Sequence, residues 1–110
     1  MKIDFNTISE KEIPAFKGGE KFFAVKMFDD ATGKIMHGRL IPGASIGMHT
    51  HTGNSEVIFI LSGKGYSICN GEKEILSAGE CSYCKEGGSH CLVNDGTEDL
   101  IFFAVVPVLQ

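Results

Sequence analysis

Metal-binding side chains are scarce in this chain, and their spacing is uneven. Only four histidines occur in 110 residues, and two of them, His49 and His51, stand two apart. On a strand, residues i and i+2 share a face with Cα atoms ~6.6 Å apart. Two imidazoles at that spacing can converge on one ion through bonds of ~2.1 Å. Glu56 follows Thr52-Gly53-Asn54-Ser55, a stretch long enough to reverse the chain, so Glu56 can open the neighbouring strand beside the pair. His90 comes far later, after Gly87-Gly88-Ser89, at the start of another strand. Three neutral imidazoles and one carboxylate suit one divalent transition metal ion, and iron, manganese, nickel, cobalt and zinc all tolerate such a set. A lone histidine is more often a hydrogen-bonded or surface residue, and His37 reads that way.

The cysteines offer a weaker signal. Cys81-Ser82-Tyr83-Cys84 matches C-x-x-C once, without the second pair that a zinc knuckle needs. In a strand, residues three apart point to opposite faces. Cys69, Cys81, Cys84 and Cys91 therefore read as reduced, small core thiols.

Positioning His90 beside residues 49–56 requires elements that bring distant segments together, and those elements read as strands. Short apolar runs at 22–28, 35–41, 56–61, 65–69, 73–76, 81–84, 91–93 and 100–106 alternate with turn signals such as Pro42-Gly43, Ser62-Gly63 and Asn70-Gly71. Asn70-Gly71 suits a type I′ hairpin, whose two central residues need positive φ. No long amphipathic helix, repeat or linker interrupts the pattern, so the fold class is all-β, a sandwich or barrel. Residues 1–20 read as a polar N-terminal arm with a helical turn over 10–13, and residues 21–110 as one domain. The runs 57–61 and 100–106 are apolar at every position, so both faces of these strands should be covered. A second sheet can cover one face, and the arm or a second subunit the other, which makes a homodimer the expected state.

Composition excludes several classes. Hydrophobic residues make up 43% and charged residues 22%, ordinary values for a globular chain. The 14 glycines exceed the usual ~7% and fit many tight turns. A net charge of −4 and a single arginine leave no basic surface for nucleic acid. No apolar run reaches the ~20 residues of a membrane span, and residues 1–10 lack the apolar core of a signal peptide. The expected location is therefore cytoplasmic, with a small molecule as partner and neither nucleic acid nor membrane.

The spacing resembles the cupin family. Gly43, five residues, His49-Thr50-His51, four residues, Glu56, six residues, Gly63 matches the first cupin motif. Gly79, five residues, Lys85-Glu86-Gly87, two residues, His90, three residues, Asn94 matches the second, with Lys85 where the family usually has proline. The motifs span 43–94, and the intermotif gap is short, as in small bacterial cupins. The resemblance implies a jelly-roll β-barrel, the double-stranded β-helix, with His49, His51, Glu56 and His90 ligating one metal inside it. It also implies a wide choice of activities, from oxygenases, decarboxylases, isomerases and lyases to non-catalytic sensors, so the fold does not select a reaction.

Strand parity turns these residues into a pocket prediction. If Glu56 points inward, Ile58 and Ile60 do too, while Val57, Phe59 and Leu61 face out. Leu92 follows His90 inward, whereas Met48 and Thr50 face away from the ligand pair. Arg39 could grip a substrate carboxylate at the barrel rim, but a surface salt bridge is the commoner fate of such a residue. Tyr66, Tyr83 and Lys85 are equally ambiguous. The favoured reading is a metal-dependent enzyme acting on a small organic molecule. The alternatives are a non-catalytic small-molecule or metal-binding barrel, and a metal-free barrel whose histidines serve as acid and base.

Overall fold

Period-two burial marks the strands Gly33–Leu40, Glu56–Ser62, Cys81–Cys84 and Leu100–Pro107 among the ten of the computed structural model, which describes residues 1–109. The strands are β1 Lys11–Pro14, β2 Phe22–Asp30, β3 Gly33–Leu40, β4 Ser45–Thr50, β5 Glu56–Ser62, β6 Lys64–Cys69, β7 Glu72–Ser77, β8 Cys81–Cys84, β9 Ser89–Val93 and β10 Leu100–Pro107. They form two antiparallel sheets, one of six strands in the order β1-β2-β3-β10-β5-β8 and one of four in the order β4-β9-β6-β7. The two face each other as a jelly-roll sandwich.

The core lies between the sheets. Along β10, Leu100, Phe102, Ala104 and Val106 turn inward, while Ile101, Phe103 and Val105 stay half-buried on the outer face. Phe102 stacks on Phe23 of β2 with ring centroids 5.8 Å apart. Gly38, between them on β3, leaves the room that a Cβ would take from both rings. Leu40, Ile58, Ile60, Leu92 and Leu100 complete the dry centre, each no more than 2% exposed. Parity behaves as expected: Ile58 and Ile60 are buried, whereas Phe59 and Leu61 are 42% and 46% exposed. The β6–β7 hairpin turns on Asn70 and Gly71 at φ 51° and 84°, both positive as a type I′ turn requires.

Two expectations need correction. The segment expected to hold a helical turn at 10–13 is β1, paired with β2 from Lys11↔Val25 to Pro14↔Phe22. Ile13 precedes a proline, which disfavours the α region, and a one-turn helix has too few hydrogen bonds to repay its ordering. The second is β4, which was not among the expected apolar runs because Ser-Ile-Gly-Met-His-Thr carries little apolar alternation, although the spacing of His49 and His51 already implied a strand there.

The N-terminal segment covers the outer face only in part. Phe5, in a 3-10 turn over Phe5–Thr7, packs edge-on against Phe103 of β10 at 5.6 Å. Phe59, Leu61 and Tyr83 remain exposed on that face. A second 3-10 turn, Phe16–Gly18, leads into Glu20, whose carbonyl accepts a hydrogen bond from Ser45 N at 3.1 Å, closing the free edge of β4.

Candidate metal centre

His49 of β4 and His90 of β9 are cross-strand partners. The two strands change register between Ile46 and His49, a bulge of the kind that re-aims side chains. His51 lies just past the end of β4. Its backbone is still held, because His51 N donates to Gly88 O at 2.9 Å and Gly87 N donates to His51 O at 2.7 Å. The chain then crosses to the opposite sheet, where Glu56 opens β5 and pairs with Cys84 of β8. Glu56 was expected on the strand next to the histidine pair. It instead faces the three imidazoles across the sandwich, because β5 pairs with β10 and β8 rather than with β4.

The four side chains meet. One ligand atom from each of His49, His51, Glu56 and His90 lies within 4.8 Å of the others. Glu56 Oε1 sits 3.9, 3.2 and 2.9 Å from the Nε2 atoms of His49, His51 and His90, and the Nε2 atoms of His51 and His90 are 2.9 Å apart. Glu56, His51 and His90 are buried. Burial alone would push the Glu56 carboxyl up, but hydrogen bonds from His49, His51 and His90 outweigh it and hold the group far below the usual carboxylate range. The hydrogen bond to Glu56 raises His51 against the opposing effect of burial.

Proton placement shows what this cluster fits. His49 Nδ1 donates to the Gly47 carbonyl and His51 Nδ1 donates to Asn54 Oδ1, both at 2.8 Å. Both partners are acceptors, so each Nδ1 carries a hydrogen; Nε2 then either donates to Glu56 from the imidazolium or, in the neutral ring, offers a lone pair to a metal ion. In the neutral rings those lone pairs and a carboxylate oxygen converge on one small volume, an arrangement suited to a cation. Imidazole nitrogens with one carboxylate oxygen are the donor set of a divalent transition metal. His90 Nδ1 is buried without a hydrogen-bond partner, so this ring is held by packing and by the cluster itself.

A cavity of about 130 Å³ opens beside the cluster. Its walls come from Phe16, Phe23, Met27, Met36, Ile46 and Val106, and its polar lining beyond the cluster is Lys17, Lys34, Thr50 and Asn54. The walls are mostly apolar, but Ile58, Ile60 and Leu92, which parity turned inward, are buried in the core and do not line the cavity. Thr50 borders this cavity, although parity turned it away from the ligand pair. Asn54 and the Gly47 carbonyl were not foreseen, because an outer hydrogen bond to a ligand has no spacing rule. Lys17 was missed because it lies outside the motif region.

The remaining candidates fall elsewhere. Arg39 pairs with Glu10 at 2.7 Å and Asp99 at 3.4 Å, tying the N-terminal segment to the barrel away from the cavity. His37 stands on the outer face in register with Lys26 and Phe103. The Tyr66 ring lies under Lys73 Nζ at 4.3 Å, and Tyr83 is 55% exposed. Lys85, in the place of the family's proline, still closes its turn, because Gly88 N donates to Lys85 O at 2.9 Å. All four cysteines are free, but only Cys84 and Cys91 are the core thiols expected: Cys81 points out where Cys84 points in, as strand parity requires, and Cys69 is half-buried. Burial, with the neighbouring Cys69, pushes the Cys84 thiol up to about 11.

An antiparallel double sheet with three imidazoles and a carboxylate gathered at one end of its interior defines a class, the small β-barrel with a candidate metal centre. The chain belongs to the cupin family: the cupin domain model matches residues 36–106. It is 32% identical over 117 residues to an oxalate-binding protein of Thermotoga maritima, covering 99% of this chain and 95% of that one. A crystal structure of a predicted oxalate decarboxylase from Thermotoga maritima superposes with a TM-score of 0.93 at 29% identity, over 99% of this chain and all of the other. A cupin-superfamily sugar phosphate isomerase from Silicibacter pomeroyi shares the fold with a TM-score of 0.79 at 17% identity, covering 97% of this chain and 75% of that one.

Proposed function

We propose that this cupin holds one divalent transition metal ion on His49, His51, Glu56 and His90 and acts on a small organic acid bound beside it, as a metal-dependent enzyme of the decarboxylase or oxygenase type. The observation that carries the reading is the convergence of Nε2 lone pairs on a buried carboxylate oxygen, with the ring protons turned outward to Gly47 and Asn54. A metal there supplies Lewis-acid or redox chemistry to an oxygen ligand. The protein's own part is to orient the imidazoles through those outer hydrogen bonds and to exclude water with the apolar walls. The size of the cavity limits the ligand. An engineered cavity of ~150 Å³ takes up benzene, a six-atom ring, so about 130 Å³ suits a molecule of similar size, and oxalate has six heavy atoms. The name of the Thermotoga maritima relative points to the same ligand class.

A second reading, binding without turnover, draws support from the same lining. Outside the cluster, the cavity offers only Lys17, Lys34, Thr50 and Asn54 as polar groups, and none is a buried acid or base. Metal analysis of protein purified without added ions tests the shared premise. Turnover of a panel of two- to four-carbon acids, lost on chelation and restored by metal, supports the enzyme; stoichiometric binding without turnover supports the second reading. We also infer a homodimer through the outer face of the six-stranded sheet, where Phe59, Leu61 and Tyr83 are exposed. Sedimentation equilibrium at micromolar concentration tests it.

A further inference from the structure

The segment that crosses the edge of β4 is unusual in its backbone. Ala15, Lys17 and Lys21 all adopt left-handed conformations, at φ 49°, 55° and 55°. Side-chain-bearing residues persist in that region only where their surroundings over-determine them. Here the surroundings are glycines and hydrogen bonds. A Cβ on Gly47 would strike the Lys17 carbonyl, and a Cβ on Gly19 would strike the Ser45 carbonyl, so the segment lies backbone to backbone on β4. Ala15 N donates to Lys21 O, Gly18 N to Ala15 O and Gly19 N to Phe16 O, at 2.9 to 3.0 Å. Lys21 Nζ donates to Pro42 O at 2.7 Å, and Phe16 packs inward on Phe23 at 5.3 Å. Lys17 is thereby fixed against Gly47, whose carbonyl orients His49.

The charge at this point is unbalanced. Lys17 and Lys34 line the cavity together with His49, His51 and Glu56, and Glu56 is the sole carboxylate in its lining. Among the described residues, neither lysine forms an ion pair. A free cation beside a small cavity, in a chain whose net charge is −4, is complementary to an anion. Glu56 is the one negative charge of the cluster. A divalent ion there leaves the centre net positive, enough to attract one carboxylate, and Lys17 adds a second positive point at the rim.

Resting on the small-acid reading above, we propose that Lys17 is a specificity-determining residue that binds the second anionic group of the ligand, so that the site selects short dicarboxylates over monocarboxylates of the same size. The strained segment then helps to set which acid is accepted, because it holds the Lys17 amine at the rim, with Lys34 of β3 as the second cation of the lining.

The test compares oxalate with oxamate, which has the same heavy-atom count but an uncharged amide in place of one carboxylate. Calorimetric titrations use the full-length metal-loaded protein, with metal content measured for every variant. Wild type should bind oxalate more tightly than oxamate. Lys17→Gln should weaken oxalate binding about fivefold to tenfold, as expected for loss of a partly shielded charged hydrogen bond, and change oxamate less than twofold. Lys17→Arg should keep the preference for oxalate. Equal weakening of both ligands in Lys17→Gln, or no weakening of either, overturns the role of Lys17 while leaving the small-acid reading intact. Metal-loaded wild type that binds neither ligand overturns that reading, and this proposal with it.

Discussion

Replacing His51 by alanine removes one of the four clustered donors with little effect on packing. The ring is 7% exposed and contacts mainly other polar groups, Glu56 Oε1 at 3.2 Å, His90 Nε2 at 2.9 Å and Asn54 Oδ1 at 2.8 Å. Its backbone hydrogen bonds to Gly87 and Gly88 do not depend on the side chain, so the barrel should still fold. Four-ligand zinc sites gain ~10–16 kcal/mol at neutral pH. A quarter share is about 3 kcal/mol, which is more than a hundredfold in affinity. At a free metal concentration 100 times the wild-type dissociation constant, wild type gains ~2.7 kcal/mol of stability. A variant binding 100-fold more weakly gains only about 0.4 kcal/mol under the same conditions. For a domain of this size, 1 kcal/mol shifts the melting temperature by ~4–8 °C. Added metal should therefore raise the wild-type midpoint by roughly 10–20 °C and that of His51→Ala by about 2–3 °C. Calorimetric melts with and without metal read the difference, and elemental analysis gives stoichiometry. Equal occupancy and equal thermal shifts in the two proteins would refute the assignment. His37→Ala serves as the control and should retain full occupancy.

Three further outcomes follow from other contacts. Asn54→Ala removes the acceptor that sets the His51 tautomer, and metal affinity measured by chelator competition should fall about 10–100-fold; an unchanged affinity would mean the ring is oriented without it. Phe102→Ala empties the space beside Phe23 at a site only 1% exposed, and chemical denaturation should show a loss of ~3–5 kcal/mol. The third concerns pH. The hydrogen bond from Arg39 holds the Glu10 carboxyl below its ordinary value of 4.5, so this tether adds stability above that value and loses it as pH falls through the lower folded one. The pair is partly exposed, so its worth is ~0.2–1 kcal/mol. Pepsin cleavage within the first ten residues, relative to cleavage of an unstructured peptide at the same pH, should accelerate as pH falls through the lowered Glu10 value, and Glu10→Gln should flatten that dependence.

Much of this architecture was legible in the residue order. The unbroken apolar runs of β5 and β10, the Asn70-Gly71 turn and the spacing of His49, His51, Glu56 and His90 are local patterns, and local patterns survive folding when every neighbour supports them. Inward and outward parity along β5 followed from the period of two alone, although the outer face, expected to be covered, leaves Phe59 and Leu61 exposed. The C-x-x-C pair likewise separated to opposite faces, as two residues three apart on a strand must.

Other features depended on contacts between distant residues. Sequence determined which four side chains could meet, but only the pairing of β5 with β10 and β8 put Glu56 across the sandwich from the histidines. The strand at Lys11–Pro14 exists because β2 offers its edge, and nothing within those four residues announces a partner. Arg39 looked the same from its neighbours whether it gripped a ligand or a surface acid, and Glu10, 29 residues away, decided the matter. The proton positions on His49 and His51 rest on Gly47 and Asn54, and the placement of Lys17 rests on the missing Cβ of Gly47. Composition and spacing specify which groups are available and which way each strand faces. The approach of one backbone to another, and the hydrogen bonds made across that approach, come into being only when the chain closes on itself.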